Sequence, residues 1–198
     1  MVFDFGNVLY SVDYPAMARA LAGDRGPQLL EAFVGSTAQV AYETGRAGLE
    51  DVLGELARLG FPCRRGRFLE AYLGVFAPIP GVSLLLERLA GCRPLGLLSN
   101  TSPEHARLFI ETTPEASLFR ARVYSFEVGC MKPDPRTYRE VARRLGMPPS
   151  ALVYTDDVTA YADGATAAGM KGMVFRGAED LRRQLVHLGC TELGGLRA

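Results

Sequence analysis

MVFDFGNVLY, residues 1–10, is the stretch on which the fold turns. Met1 to Phe5 is an apolar run interrupted only by Asp4, and it stops at Gly6. It reads as a short buried strand. The strand begins with the chain itself, so either it is short or the start of the protein lies slightly upstream. No basic segment precedes the apolar residues, so no secretory leader is expected. An acid closing a buried strand is awkward without a ligand, because a desolvated carboxylate needs a partner.

Beyond this strand the pattern changes. From Tyr14 to Phe76 apolar residues recur three and four apart, as in Met17 and Leu21, or Leu49, Val52, Leu53 and Leu56, or Phe68, Leu69, Tyr72, Leu73 and Phe76. That period predicts four or five short helices and no strand. Gly26, Gly45, Gly60–Pro62 and Pro78–Pro80 punctuate them. After Gly81 the pattern changes again. Helices are expected at 82–90, from about 103, and at 135–145, 160–168 and 179–188. Apolar strands are expected at 94–99, 123–125, 152–155 and 172–175. Short apolar strands alternating with amphipathic helices indicate a parallel sheet covered on both faces. The tail, 190–198, is expected to be loosely held. The fold class is therefore α/β: a Rossmann-like parallel-sheet core, residues 1–13 and 81–198, with an all-helical cap inserted at 14–80.

Composition narrows the function. The 198 residues are 48% hydrophobic and carry 22 basic against 22 acidic side chains, a balance that excludes a dedicated nucleic-acid binder. No apolar run approaches the roughly 18–20 residues of a membrane span. A cytoplasmic protein is expected. Cys63, Cys92, Cys130 and Cys190 have no zinc-ligand spacing and read as reduced thiols. His105 and His187 read as surface or helix-end residues. Of the 22 basic residues only Lys132 and Lys171 are lysines.

Ligands of open parallel sheets bind at the carboxyl ends of the strands. Here those ends carry Asp4 with Gly6, then Ser99-Asn100-Thr101, then Lys132 before Pro133, then Asp156-Asp157. A carboxylate, a hydroxyl, an ammonium and two more carboxylates on one rim suit phosphoryl transfer through an aspartyl-phosphate. A Mg2+ held by carboxylates would offset the repulsion between nucleophile and phosphate.

The same residues carry a resemblance. FDFGNVL (3–9), LLSNTS (97–102), GCMKPDPRTY (129–138) and YTDDVTAYADGATAAGM (154–170) resemble, in order and spacing, the four motifs of the haloacid dehalogenase-like (HAD) hydrolases. The branch is the one with a helical cap after the first strand. The GNV and DD forms look closest to the glucose-1-phosphatase-like and epoxide-hydrolase-N-terminal-like phosphatases. The resemblance implies Asp4 as nucleophile, Ser99 and Asn100 as phosphate-binding, and Lys132 as the bridge between nucleophile and phosphoryl group. It implies Mg2+ held by Asp157, Asp4 and the Gly6 carbonyl, with Asp156 behind them. The implied function is a Mg2+-dependent phosphatase of a small phosphorylated metabolite, monomeric or homodimeric, with no nucleic-acid or membrane partner.

Two departures qualify this. The usual first motif has a second acid where this chain has Gly6, and a general acid contributes about 10²–10⁴-fold. Tyr161 stands where related phosphatases have Asn or Asp. A phosphatase for acidic leaving groups, such as sugar 1-phosphates and acyl phosphates, fits best. A non-catalytic phospholigand- or partner-binding domain is the alternative. A metal-independent haloacid dehalogenase fits less well, because the pair Asp156-Asp157 needs a cation. Candidate cap contacts are Tyr10, Tyr14, Tyr42, Glu43 and Arg46, with hinges near 11–13 and 77–81.

Overall fold

The computed structural model describes residues 1–195. Strand β1 is Val2–Phe3, and β2 is Tyr10–Val12. Five helices follow: α1 (Tyr14–Ala22), α2 (Gly26–Phe33), α3 (Thr37–Glu43), α4 (Leu49–Arg58) and α5 (Arg65–Leu73). The remainder runs β3 (Phe76–Pro78), α6 (Val82–Ala90), β4 (Leu95–Ser99), α7 (Pro103–Leu108), β5 (Phe119–Tyr124), α8 (Ser125–Val128), α9 (Pro135–Leu145), β6 (Val153–Asp156), α10 (Thr159–Ala167), β7 (Lys171–Val174) and α11 (Ala178–His187).

Five strands form a parallel sheet in the order β5-β4-β1-β6-β7. The opening strand is thus the central one. Its alternation divides the core: Phe3 packs with Leu97, Leu86 and Leu185 on one face, and Val2 with Leu98, Val141 and Tyr154 on the other. The helices between β2 and β3 bury a third cluster of their own, which includes Met17, Leu29, Phe33, Tyr42, Val52, Phe68 and Tyr72. Helix starts follow capping chemistry. Asp13, Ser36, Ser102 and Asp134 each accept a first-turn N–H at α1, α3, α7 and α9.

Several expectations are corrected. β5 begins at Phe119 rather than Val123, as a strand carrying Arg120 and Arg122. The two connections to the helical insert are not bare hinges: β2 and β3 pair antiparallel, Tyr10 opposite Pro78 and Val12 opposite Phe76. The start of the tail is anchored, with Cys190 and Leu193 buried and Glu192 paired to Arg93 at 2.8 Å; residues 196–198 of the expected loose tail lie outside the described residues. His105 is not a surface residue but is buried against Tyr72, ring centroids 3.6 Å apart. His187 is exposed at the end of α11. All four cysteines are free, Cys130 and Cys190 buried and Cys92 exposed. Among the described residues no helix is long and apolar enough to cross a membrane.

Candidate active site

The parallel register brings the carboxyl ends of β1, β4 and β6 together. Asp4 extends the ladder beyond β1, its N–H donating to the Thr155 carbonyl at 2.9 Å. Its carboxylate meets the Lys132 ammonium, Nζ to Oδ1 2.7 Å. The same ammonium donates to Asp156 Oδ2 at 2.6 Å and to the Tyr154 hydroxyl at 2.8 Å. Tyr161 lays its ring beneath it, Nζ 5.0 Å from the centroid. Lys132 is 3% exposed, so this is a desolvated ion cluster rather than a surface pair.

Each neighbour has a distinct task. Asp156 is fully buried; its Oδ2 also accepts from Tyr154 and its Oδ1 from the Val158 N–H. Both its oxygens are committed to holding Lys132 and the turn into α10. Asn100 fixes the lysine loop, its Oδ1 accepting from Lys132 N at 2.8 Å and its Nδ2 donating to Lys132 O at 3.3 Å. Ser99 ends β4, buried beside Asp4 and Lys132 in the cavity lining. Asp157 is half-buried and lines the cavity together with Asn7. Asn7 itself takes a left-handed φ of 53° in the turn after β1, and its Oδ1 accepts from Val12 N.

The electrostatics are unbalanced. Burial pushes the Asp4 carboxyl up to about 7, against the pull of Lys132 and with the push of Asp156. Burial, and then the charge of Asp156, raises Asp157 also. Burial would lower the Lys132 ammonium, but Asp4 and Asp156 outweigh it and hold it above its ordinary value. One ammonium faces three carboxylates whose oxygens lie within 4.8 Å of one another. Hard oxygen donors with two uncompensated negative charges suit a divalent cation such as Mg2+. Both Asp156 oxygens are engaged, whereas Lys132 meets Asp4 at Oδ1 alone; Asp4 and Asp157 are therefore the carboxylates left to hold a cation, and Gly6 lines the same space.

That space is a cavity of about 330 Å³, lined by Val12 of β2 and, from the helical insert, by Tyr14, Val34, Gly35, Gln39, Val40 and Glu43. A surface groove of about 420 Å³ beside α1 and α5 is larger but contains none of the strand-end residues. Of the five insert-side candidates, Tyr14 and Glu43 line the cavity. Tyr10 instead stacks on Phe5 and donates to Glu115, Tyr42 donates to Glu104, and exposed Arg46 folds back on Thr44. Tyr154, Asn7 and Gln39 were not anticipated. The first could have been sought one alternation before Asp156 on the same strand; the other two carry no signal that distinguishes them from turn and solvent-face residues.

Comparison with known proteins agrees with the fold. A family model described as haloacid dehalogenase-like hydrolase matches residues 1–169. A phosphatase of Mycobacterium tuberculosis, Phosphatase MT3486, is 32% identical over 78 residues, 39% of this chain and 36% of that protein. The chain spans about a third or less of the length of the curated relatives it matches. Among solved structures, a HAD family enzyme of Bacteroides thetaiotaomicron in complex with magnesium and inorganic phosphate superposes with a TM-score of 0.80 at 21% identity, covering 92% of this chain and 96% of that one. A HAD-like family hydrolase from Porphyromonas gingivalis gives 0.81 at 24% identity, covering 94% and 95%.

Proposed function

This chain belongs to the haloacid dehalogenase-like hydrolases, and from that premise we propose that it is a Mg2+-dependent phosphatase of a small phosphorylated metabolite. The observation that carries the reading is Lys132 Nζ, 2.7 Å from Asp4 Oδ1 and buried among three carboxylates. On this reading residues 14–80 form the cap and 1–13 with 81–198 the catalytic core.

Asp4 attacks phosphorus through a carboxylate oxygen, and the bond from phosphorus to the leaving oxygen breaks. Lys132, released from part of its hold on Asp4, and the Ser99 hydroxyl hold the phosphoryl oxygens. Asn100 keeps Lys132 in register through its backbone. Water then attacks phosphorus, the bond to the Asp4 oxygen breaks, and phosphate leaves with the carboxylate regenerated. Asp4, Asp157 and the Gly6 carbonyl would hold Mg2+, which when bound supplies positive charge against the meeting of nucleophile and phosphate. Gly6 offers no side chain to protonate the leaving oxygen. Substrates with acidic leaving groups, sugar 1-phosphates or acyl phosphates, are therefore favoured over alkyl phosphates.

The same Gly6 favours a second reading, a phospholigand-binding domain without turnover. Phosphate release separates the two. The panel is p-nitrophenyl phosphate, hexose 1- and 6-phosphates, acetyl phosphate and nucleotides, each with Mg2+ or EDTA, for the wild type and Asp4→Asn. Release that needs Mg2+ and falls at least 10³-fold in Asp4→Asn is expected, with 1-phosphates ahead of 6-phosphates. Metal-independent activity would sink the reading, and silence across the panel in a folded protein would favour binding alone.

A further inference from the structure

We propose that Glu43, positioned by Gln39, reads the organic half of the substrate and restricts it to groups that donate hydrogen bonds and carry no second anion. The inference rests on the phosphatase reading and goes beyond it to the substrate class.

Glu43 ends α3 and is 5% exposed. Its Oε1 accepts from Gln39 Nε2 at 2.8 Å, one helical turn back. Gln39 Oε1 in turn accepts from Gly35 N at 2.7 Å, which fixes the amide. From the sheet side, Ser125 Oγ donates to the Glu43 carbonyl at 2.6 Å. The residue is thus held at both ends while Oε2 receives no protein donor. Yet no buried side-chain oxygen or nitrogen among the described residues lacks a partner, so Oε2 opens into the cavity that Asp4 and Lys132 close from the other side. Burial pushes this carboxyl up to about 7, the behaviour of an acid without a counter-ion.

The cation inventory completes the argument. The chain has 20 arginines, and none of those among the described residues lines the cavity. Among the described residues its one cation is Lys132, which Asp4 and Asp156 already engage. A carboxylate or second phosphate on the organic part would face Glu43 with nothing to neutralise it, an element of rejection. A hydroxyl or an ammonium would donate to Oε2 instead.

The test uses hexose 1-phosphates that differ at one group, with Mg2+ at pH 8, where Glu43 is ionised. Glucose 1-phosphate offers hydroxyls, glucosamine 1-phosphate an ammonium, glucuronate 1-phosphate a carboxylate and glucose 1,6-bisphosphate a second phosphate. The wild type is expected to show kcat/KM at least 100-fold higher for the first two than for the last two. Whether the hydroxyl or the ammonium leads identifies the donor. Glu43→Gln, which keeps the shape and the Gln39 contact, is expected to narrow the gap at least tenfold by raising kcat/KM for the anionic pair. Equal turnover of glucose and glucuronate 1-phosphates by the wild type overturns the inference without any variant. So does a gap that Glu43→Gln leaves intact. Mg2+-dependent release from any of the four hexose phosphates or from the wider panel shows that the phosphatase reading stands when the inference fails; silence from all of them removes both.

Discussion

Lys132 shows how much burial changes the meaning of a short ion pair. Its contact with Asp156 is 2.6 Å with both side chains almost wholly shielded, while Arg65 and Glu50 meet at 2.9 Å with both largely exposed. The second pair is solvated and screened, so Glu50→Ala is expected to cost less than about 1 kcal/mol. Asp156→Ala leaves a buried ammonium and the Tyr154 hydroxyl short of an acceptor, and is expected to cost about 3–5 kcal/mol. Urea midpoints at unchanged slope measure both, and near-equal losses would contradict the ion-cluster account. That Asp4, Lys132 and Asp157 would meet at one cavity was legible, because strand ends in a parallel sheet and the loops after them must converge. The division between Asp156 and Asp157 came only from the resemblance, since nothing in the pair itself says which acid is buried, and the amide of Asn100 can be assigned to the lysine loop only once that loop lies beside it. Glu43 was one of five candidate contacts, and nothing in the polar stretch 42–46 singled it out from Tyr42 or Arg46.

At the scale of elements, the helices with strong periodicity and clear punctuation fell where expected; α6 and α9 match their predicted bounds. What escaped was short or set by distant partners. β2 and β3 have three residues each, too few for a period, and find each other across the whole helical insert. Phe119 to Arg122 alternates arginine with apolar residues at the sheet edge, and only pairing with β4 makes it a strand. Glycines give the sharper test of element packing. At Gly172 in β7 a Cβ would lie 2.0 Å from the Ala162 carbonyl of α10, so backbone would have to move. Gly172→Ala is expected to cost at least about 2–3 kcal/mol. Gly54, mid-way along α4 and exposed, has nothing within 4 Å of the same atom. Gly54→Ala is expected to stabilise by about 0.5–1 kcal/mol through helix propensity alone. Thermal melts of the two variants should therefore shift in opposite directions, and a destabilised Gly54→Ala would contradict the packing of α4.

Across the whole molecule, the helical insert and the sheet meet at a seam of buried polar groups. His105 of α7 stacks on Tyr72 of α5, and its Nε2 lies 2.7 Å from the Tyr72 carbonyl. Tyr42 reaches Glu104, and the Tyr72 hydroxyl reaches Ser102 Oγ at 3.3 Å. Burial lowers His105 from 6.5 to about 4, while burial raises Glu43 from 4.5 to about 7. The signs set two flanks. The unfolded chain binds a proton at His105 more readily than the folded one, so stability falls as pH drops from 6.5 through 4, by about 3 kcal/mol. At Glu43 the folded chain binds the proton more tightly, so that contribution is full below 4.5 and is lost as pH rises through 7, by a similar amount of about 3 kcal/mol. The variants separate the flanks. His105→Gln loses the stacking and should be less stable near neutrality, but its stability should be flatter than that of the wild type between pH 6.5 and 4. Glu43→Gln should match the wild type near pH 4 and exceed it progressively up to pH 8. Denaturation curves from pH 4 to 8 for the three proteins decide this. Parallel profiles for His105→Gln and the wild type would mean that the imidazole is protonated within the seam, so that acid would not part the insert from the sheet there. A Glu43→Gln profile parallel to the wild type would mean that the carboxyl has a counter-ion after all, and the cavity's bias against anions would lose its electrostatic basis.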